Sequence, residues 1–169
     1  MGNSMVLSPP PSALTLRLNS LADTEKLAEF LASCATSGDV ITLSGDLGTG
    51  KTAFCRAFIQ RWCGEAIEVP SPTFTLVNSY ETSKGLLSHC DLYRLESVEE
   101  AYELGLEDAF AYGITLIEWP AIVEALLPIE RLDLHFRFLG EGGSREVSLV
   151  PHGVWQERLH GVKALGIMK

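Results

Sequence analysis

The chain is short of cations, of cysteine motifs and of long apolar runs, and each shortage removes a class of function. Lys and Arg number 13 against 22 Asp and Glu in 169 residues, a formal charge of −9. Gripping nucleic acid takes a basic surface, so a nucleic-acid connection is expected to pass through a partner. The acids are spread along the chain, which leaves a local basic patch open. No apolar run approaches the ~20 residues that span a bilayer, and the N-terminus has neither the basic start nor the apolar stretch of a signal peptide. Cys34, Cys55, Cys63 and Cys90 form no C-x-x-C pair and no zinc spacing. Without a secretion signal they are expected as reduced thiols, buried as small hydrophobes. Three consecutive prolines, Pro9 to Pro11, and several serines mark residues 1–12 as a disordered leader. Residues 13–169 remain as one domain, large enough for a real core in a chain of 46% hydrophobic content.

What is present is a phosphate-binding loop. Gly45-Asp46-Leu47-Gly48-Thr49-Gly50-Lys51-Thr52 has two glycines five apart, then Lys, then Thr. Backbone N–H groups of such a loop wrap the phosphates of a nucleotide. Gly45, Gly48 and Gly50 permit backbone angles that a Cβ resists; Lys51 sets an ammonium against the outer phosphates, and the Thr52 hydroxyl is a Mg²⁺ ligand. Val40 to Leu43 reads as a buried strand. Phe54, Phe58, Ile59 and Trp62 recur at helical spacing over Thr52 to Trp62. Strand, loop and helix in that order aim a helix N-terminus at the phosphates.

The remaining elements alternate in the same manner. Ala13 to Leu18 reads as a strand, then a helix capped by Ser20 or Asp23 runs to Cys34. Beyond Pro70-Ser71-Pro72, Thr73 to Tyr80 and Leu86 to Leu95 read as a hairpin-like pair. Ser97 and Glu100 form a capping box for a helix ending at Gly105, and a short helix covers Leu106 to Ala111. Ile114 to Ile117 is a buried strand, with a short helix after it to Leu127. Arg131 to Leu139 and Arg145 to Val150 read as an antiparallel hairpin, and Val154 to Ala164 as a final helix. The expected fold is α/β: a P-loop NTPase-like three-layer sandwich with a mostly parallel central sheet and antiparallel additions.

Ligands of such sheets sit beyond the carboxyl ends of the parallel strands. Glu118 follows Ile114 to Ile117 directly, so a carboxylate there faces a Mg²⁺ held by Thr52; otherwise it is a surface acid at a strand exit. Asp91 stands in the same position after Leu86 to Cys90. It either holds a metal-bound water, orients the attacking water, or is tied to neighbouring backbone. A lone strand histidine such as His89 is more often hydrogen-bonded in place than catalytic. Thr73 and Thr75 are either a γ-phosphate sensor or ordinary strand threonines, and Trp119 either stacks on a ligand or packs in the core.

These blocks, in this order, resemble the bacterial TsaE (YjeE) family of ATPases, which serves the pathway making threonylcarbamoyladenosine (t6A) in tRNA. The resemblance rests on the P-loop, Ser71-Pro72-Thr73-Phe74-Thr75-Leu76-Val77, His89-Cys90-Asp91-Leu92-Tyr93-Arg94-Leu95, Glu103-Leu104-Gly105 and Glu118-Trp119-Pro120. It covers about residues 20–120. Cys90, Ala53 and Ala121 depart from the residues common there, and none is a proposed ligand. The resemblance implies Thr52 and Glu118 as Mg²⁺ ligands, Gly48 to Thr52 around the phosphates, and Asp91 as an acid needed for activity. It also implies Arg145 as a nucleotide contact, and an N-terminal segment near Ser20 to Thr24 that helps enclose the nucleotide. It further implies a cytoplasmic ATPase working with the TsaB–TsaD complex, touching tRNA only through it, with ATP and Mg²⁺ as cofactors. On this reading Lys51, Asp91 and Glu118 are the catalytic set. Two other readings stand beside it: a small-molecule kinase, and a nucleotide-gated scaffold that needs no turnover.

Overall fold

The computed structural model describes residues 13–140 and 142–167; the leader expected at 1–12 lies outside them. Seven strands form one sheet in the order β1-β7-β6-β2-β5-β4-β3. They are β1 (Leu14–Leu18), β2 (Val40–Ser44), β3 (Val77–Thr82), β4 (Gly85–Asp91), β5 (Gly113–Glu118), β6 (Leu132–Phe138) and β7 (Arg145–Pro151). The central β6, β2, β5 and β4 are parallel. The antiparallel partners β7, β1 and β3 extend both sides.

Strand alternation sorts residues between the two faces. Ile41, Leu43, Leu87, Ile114 and Leu116 join the larger core under α1 (Leu21–Cys34) and α2 (Lys51–Cys63), where Leu27, Leu31, Phe54 and Phe58 are fully buried. Val40, Cys90 and Ile117 join a smaller core on the opposite face. There α3 (Val98–Tyr102), α4 (Leu106–Tyr112) and a 3-10 helix over Pro120–Leu126 supply Ala101, Leu106 and Val123. Val77 of β3 packs against this second core as well; on β6, His135 and Arg137 stay exposed. Glu118 shares the parity of Ile114 and Leu116, and Asp91 and His89 share that of Leu87. All three therefore face α2 and the loop that precedes it.

Several elements depart from the sequence expectation. Residues 73–75 form a turn, closed by a Leu76 N–H to Pro72 carbonyl bond of 2.8 Å, and β3 starts only at Val77. Leu76 takes a φ of 66°, a left-handed conformation that ends extended pairing. β4 ends at Asp91 opposite Glu118, the last residue of β5, and the Leu92 N–H to Glu118 carbonyl bond closes that ladder. The capping box is displaced by one residue: Ser97 makes no side-chain cap, and Glu100 accepts from the Glu96 N–H at 3.0 Å. The last helix is α-helical only as α5 (Trp155–Arg158) and continues as 3-10 over Leu159–Leu165. Cys55 and Cys90 are buried thiols as expected, whereas Cys34 and Cys63 are half-buried. No helix is long and apolar enough to cross a membrane among the described residues.

Gly113 opens β5 opposite Leu86, and a Cβ there would run into the Leu86 carbonyl. Its extended backbone suits any residue, so the restriction is space alone. Gly113→Ala is expected to cost about 1–3 kcal/mol through overpacking. Urea unfolding should show a lower midpoint with an unchanged m-value; an unaltered midpoint contradicts so close an approach of β4 to β5.

Candidate active site

The loop between β2 and α2 owes its shape to local chemistry. Gly45, Gly48 and Gly50 take φ values of 140°, 81° and 106°. At Gly45 a Cβ would strike the Phe136 carbonyl of neighbouring β6, so only glycine passes there. Thr49 is buried, with its N–H and its hydroxyl both directed at the Asp46 carbonyl, at 3.3 and 2.7 Å. It shapes the loop from within and does not line the cleft. Gly50 caps α2 and accepts from the Phe54 N–H at 2.9 Å. The amides at the start of α2 consequently open onto a cleft of about 440 Å³.

Lys51, Thr52, Asp91, Glu118 and Arg145 all line that cleft, with Gly48 and Gly50 on the loop side. Lys51 Nζ donates to the Gly45 and Asp46 carbonyls, the latter at 2.9 Å, and sits 4.1 Å from the centre of the Trp119 ring. Burial lowers its pKa, while Glu118, Asp91 and Asp46 resist that shift. Thr52 Oγ1 donates to Glu118 Oε1 at 2.9 Å, joining the first turn of α2 to the end of β5. Asp91 pairs in register with Glu118 on the adjacent strand, so two carboxylates end neighbouring strands side by side.

That proximity marks Asp91. Burial raises its pKa, and Glu118 adds to the rise; the Tyr93 N–H, which donates to Oδ1 at 3.1 Å, opposes it, as do His89 and Lys51. The acid is thus tied to neighbouring backbone, one of the alternatives left open by the sequence, and it also lines the cleft. Arg145 enters from β7, with Nη1 close to the Cα of Gly50 and its buried Nε without a hydrogen-bond partner among the described residues. Arg94 lies over the ring of Phe74, which is 80% exposed.

His89 is fully buried and hydrogen-bonded in place, as expected of a lone strand histidine; its Nε2 lies 2.7 Å from Glu118 Oε2, a partner the sequence did not reveal. Two further features were not legible in the sequence. Trp119 is neither core nor free: a φ of 58° swings its ring onto Lys51 and to 4.8 Å from Tyr93. Leu76, also left-handed, places its carbonyl on the Asp91 N–H at 2.9 Å, tying the Thr73 turn to the acid. Thr73 lines the cleft, whereas Thr75 bonds to Asn78 at 2.7 Å.

As ligands, a hydroxyl and a carboxylate opening onto a cleft form a hard oxygen set, suited to Mg²⁺ with phosphate and water completing the shell. Ligand atoms of Cys55, His89 and Glu118 also lie within 4.8 Å of one another. Burial, with Glu118 nearby, pushes the Cys55 thiol well up.

The raised Asp91 pKa carries a stability consequence. Because the native state holds this proton more tightly than the unfolded chain, the associated stabilisation is complete below the ordinary value of 3.8. It is lost as pH rises through the elevated native pKa. Asp91→Asn keeps an acceptor for Tyr93 and removes the charge. It should raise Tm by a few degrees at about pH 7, with the gain vanishing towards about pH 4. A lower Tm at pH 7 contradicts this reading.

Known proteins resemble the chain over most of its length. The family described as "Threonylcarbamoyl adenosine biosynthesis protein TsaE" matches residues 18–147. The tRNA threonylcarbamoyladenosine biosynthesis protein TsaE of Rickettsia bellii is 44% identical over 124 residues, covering 73% of this chain and 86% of that relative. Its counterpart in Bacillus subtilis is 38% identical over 138 residues, 81% and 85% of the two chains. The crystal structure of YdiB from Bacillus subtilis superposes with a TM-score of 0.73 at 32% identity, covering 91% of this chain and 94% of that one. The P-loop, the strand-end acids and the sheet that aligns them thus lie within a matched sequence and a shared fold, and the chain belongs to the TsaE family of tRNA threonylcarbamoyladenosine biosynthesis proteins.

Proposed function

We propose that this chain is a P-loop ATPase that binds and hydrolyses Mg-ATP to drive turnover of a TsaB–TsaD complex during t6A modification of tRNA. The observation that carries the reading is the Thr52–Glu118 hydrogen bond, which brings a hydroxyl and a carboxylate together at the floor of the cleft. When bound there, Mg²⁺ would supply charge neutralisation at the β- and γ-phosphate oxygens.

The chain's own residues divide the remaining work. Loop amides from Gly48 to Thr52 and the α2 N-terminus receive the phosphates. Lys51 exchanges its loop carbonyls for phosphate oxygens; these internal bonds keep a partly desolvated ammonium satisfied until then. Arg145 adds a second cation at the phosphate tail. Asp91 accepts a hydrogen bond from the attacking water, and its raised pKa suits it to take up a proton as the bond to phosphorus forms.

Slow hydrolysis by the isolated protein follows from the arginines. A positioned arginine finger is worth roughly 10³–10⁵ in rate, yet Arg94 is stacked on the exposed Phe74 at the rim. Docking of TsaB and TsaD would order this rim and bring Arg94 or Arg145 onto the γ-phosphate. The acidic balance of the chain supports contact with tRNA through those partners alone.

Steady-state ATP hydrolysis, measured with and without purified TsaB and TsaD, tests the proposal. Turnover should be slow alone and rise at least several-fold with the complex. Glu118→Gln should lower it by roughly 100-fold and abolish t6A formation. Modification that persists after hydrolysis is lost would instead mark a nucleotide-gated scaffold.

A further inference from the structure

Glu118 is buried, and its two oxygens face different partners. Oε1 accepts from the Thr52 hydroxyl at 2.9 Å, and Oε2 lies 2.7 Å from His89 Nε2. His89 comes from β4, two residues before the register partner of Glu118, so its ring reaches diagonally across the strand pair. A carboxylate oxygen at that distance requires a donor, which assigns the ring proton to Nε2. Nδ1 is buried without a hydrogen-bond partner among the described residues. Cys55 Sγ lies within 4.8 Å of ligand atoms of both His89 and Glu118. His89 is therefore the donor that the protein dedicates to the far oxygen of Glu118.

We infer that His89 is a positioning residue for the cation seat: its N–H on Oε2 fixes the rotation of the Glu118 carboxyl, so that Oε1 stays aimed at Thr52 and the cleft. The terminal torsion of a glutamate is soft, and a strand-end carboxylate with only one partner would turn. His89 does not line the cleft, so it acts on the ion seat through Glu118. The inference rests on the reading above, in which Thr52 and Glu118 hold the divalent ion.

Mn²⁺ binding in the presence of ADP, followed by loss of the free-ion EPR signal, tests it without reference to catalysis. His89→Leu and His89→Asn, the second too short to reach, should weaken Mn²⁺ by roughly 10- to 100-fold. ADP affinity in EDTA should stay within about two-fold. His89→Gln, whose amide reaches as far as Nε2, should restore Mn²⁺ affinity to within a few-fold. If His89→Leu does not fold, the contrast between His89→Gln and His89→Asn still decides. Equal losses in those two variants, or wild-type Mn²⁺ affinity in both, would overturn the positioning role. Glu118→Gln separates the underlying reading: unchanged Mn²⁺ affinity there means that Glu118 is not a ligand at all.

Discussion

The bond from Thr52 to Glu118 connects the first turn of α2 to the end of β5 beside the P-loop, and the rest of the site is arranged to keep that connection short. Leu43 of β2 pairs with Glu118, which pairs in turn with Asp91, so the parallel strands end in one row beneath the start of α2. Hydrophobic packing of Phe54 and Phe58 against that face presses the helix onto the sheet. The loop above must then curve within a few residues, which its left-handed glycines allow.

Ending two buried strands in adjacent carboxylates is costly unless cations and donors surround them. The structure supplies Thr52 and His89 to Glu118, the Tyr93 N–H to Asp91, and the Lys51 ammonium nearby. Asp91 still keeps a raised pKa. A divalent ion and a phosphate chain complete the balance in the proposed function, while Lys51 is held by the Gly45 and Asp46 carbonyls of its own loop. Strained backbone gathers in the same place. Among the described residues, the two non-glycine residues with positive φ, Leu76 and Trp119, flank Asp91 and Lys51 respectively.

Much of this was legible because it is local. The β2–loop–α2 unit follows from residues 40 to 62 alone, and the hairpin of β6 and β7 from alternation across Gly142 and Gly143. Glu118 and Asp91 stood out as acids closing apolar strands, which needs no knowledge of the partner strand. Features set by long-range register were hidden. Nothing between residues 86 and 91 reveals that His89 spans to Glu118, since that depends on which strands are neighbours. The left-handed turns at Leu76 and Trp119 were equally invisible, because neither side chain favours that conformation. The displaced capping box shows the reverse case, a correct local motif whose Glu100 found the neighbouring N–H.

The central claim is that Lys51, Thr52 and Glu118 exchange their bonds to one another and to the loop for bonds to a cation and phosphates. A crystal structure with Mg²⁺ and a non-hydrolysable ATP analogue tests this most directly. The account predicts Thr52 Oγ1 and a Glu118 oxygen, directly or through one water, on the ion, with Lys51 Nζ moved from the Gly45 and Asp46 carbonyls to the phosphates. An ion bound away from Glu118, with Lys51 still closed on its loop, would contradict it.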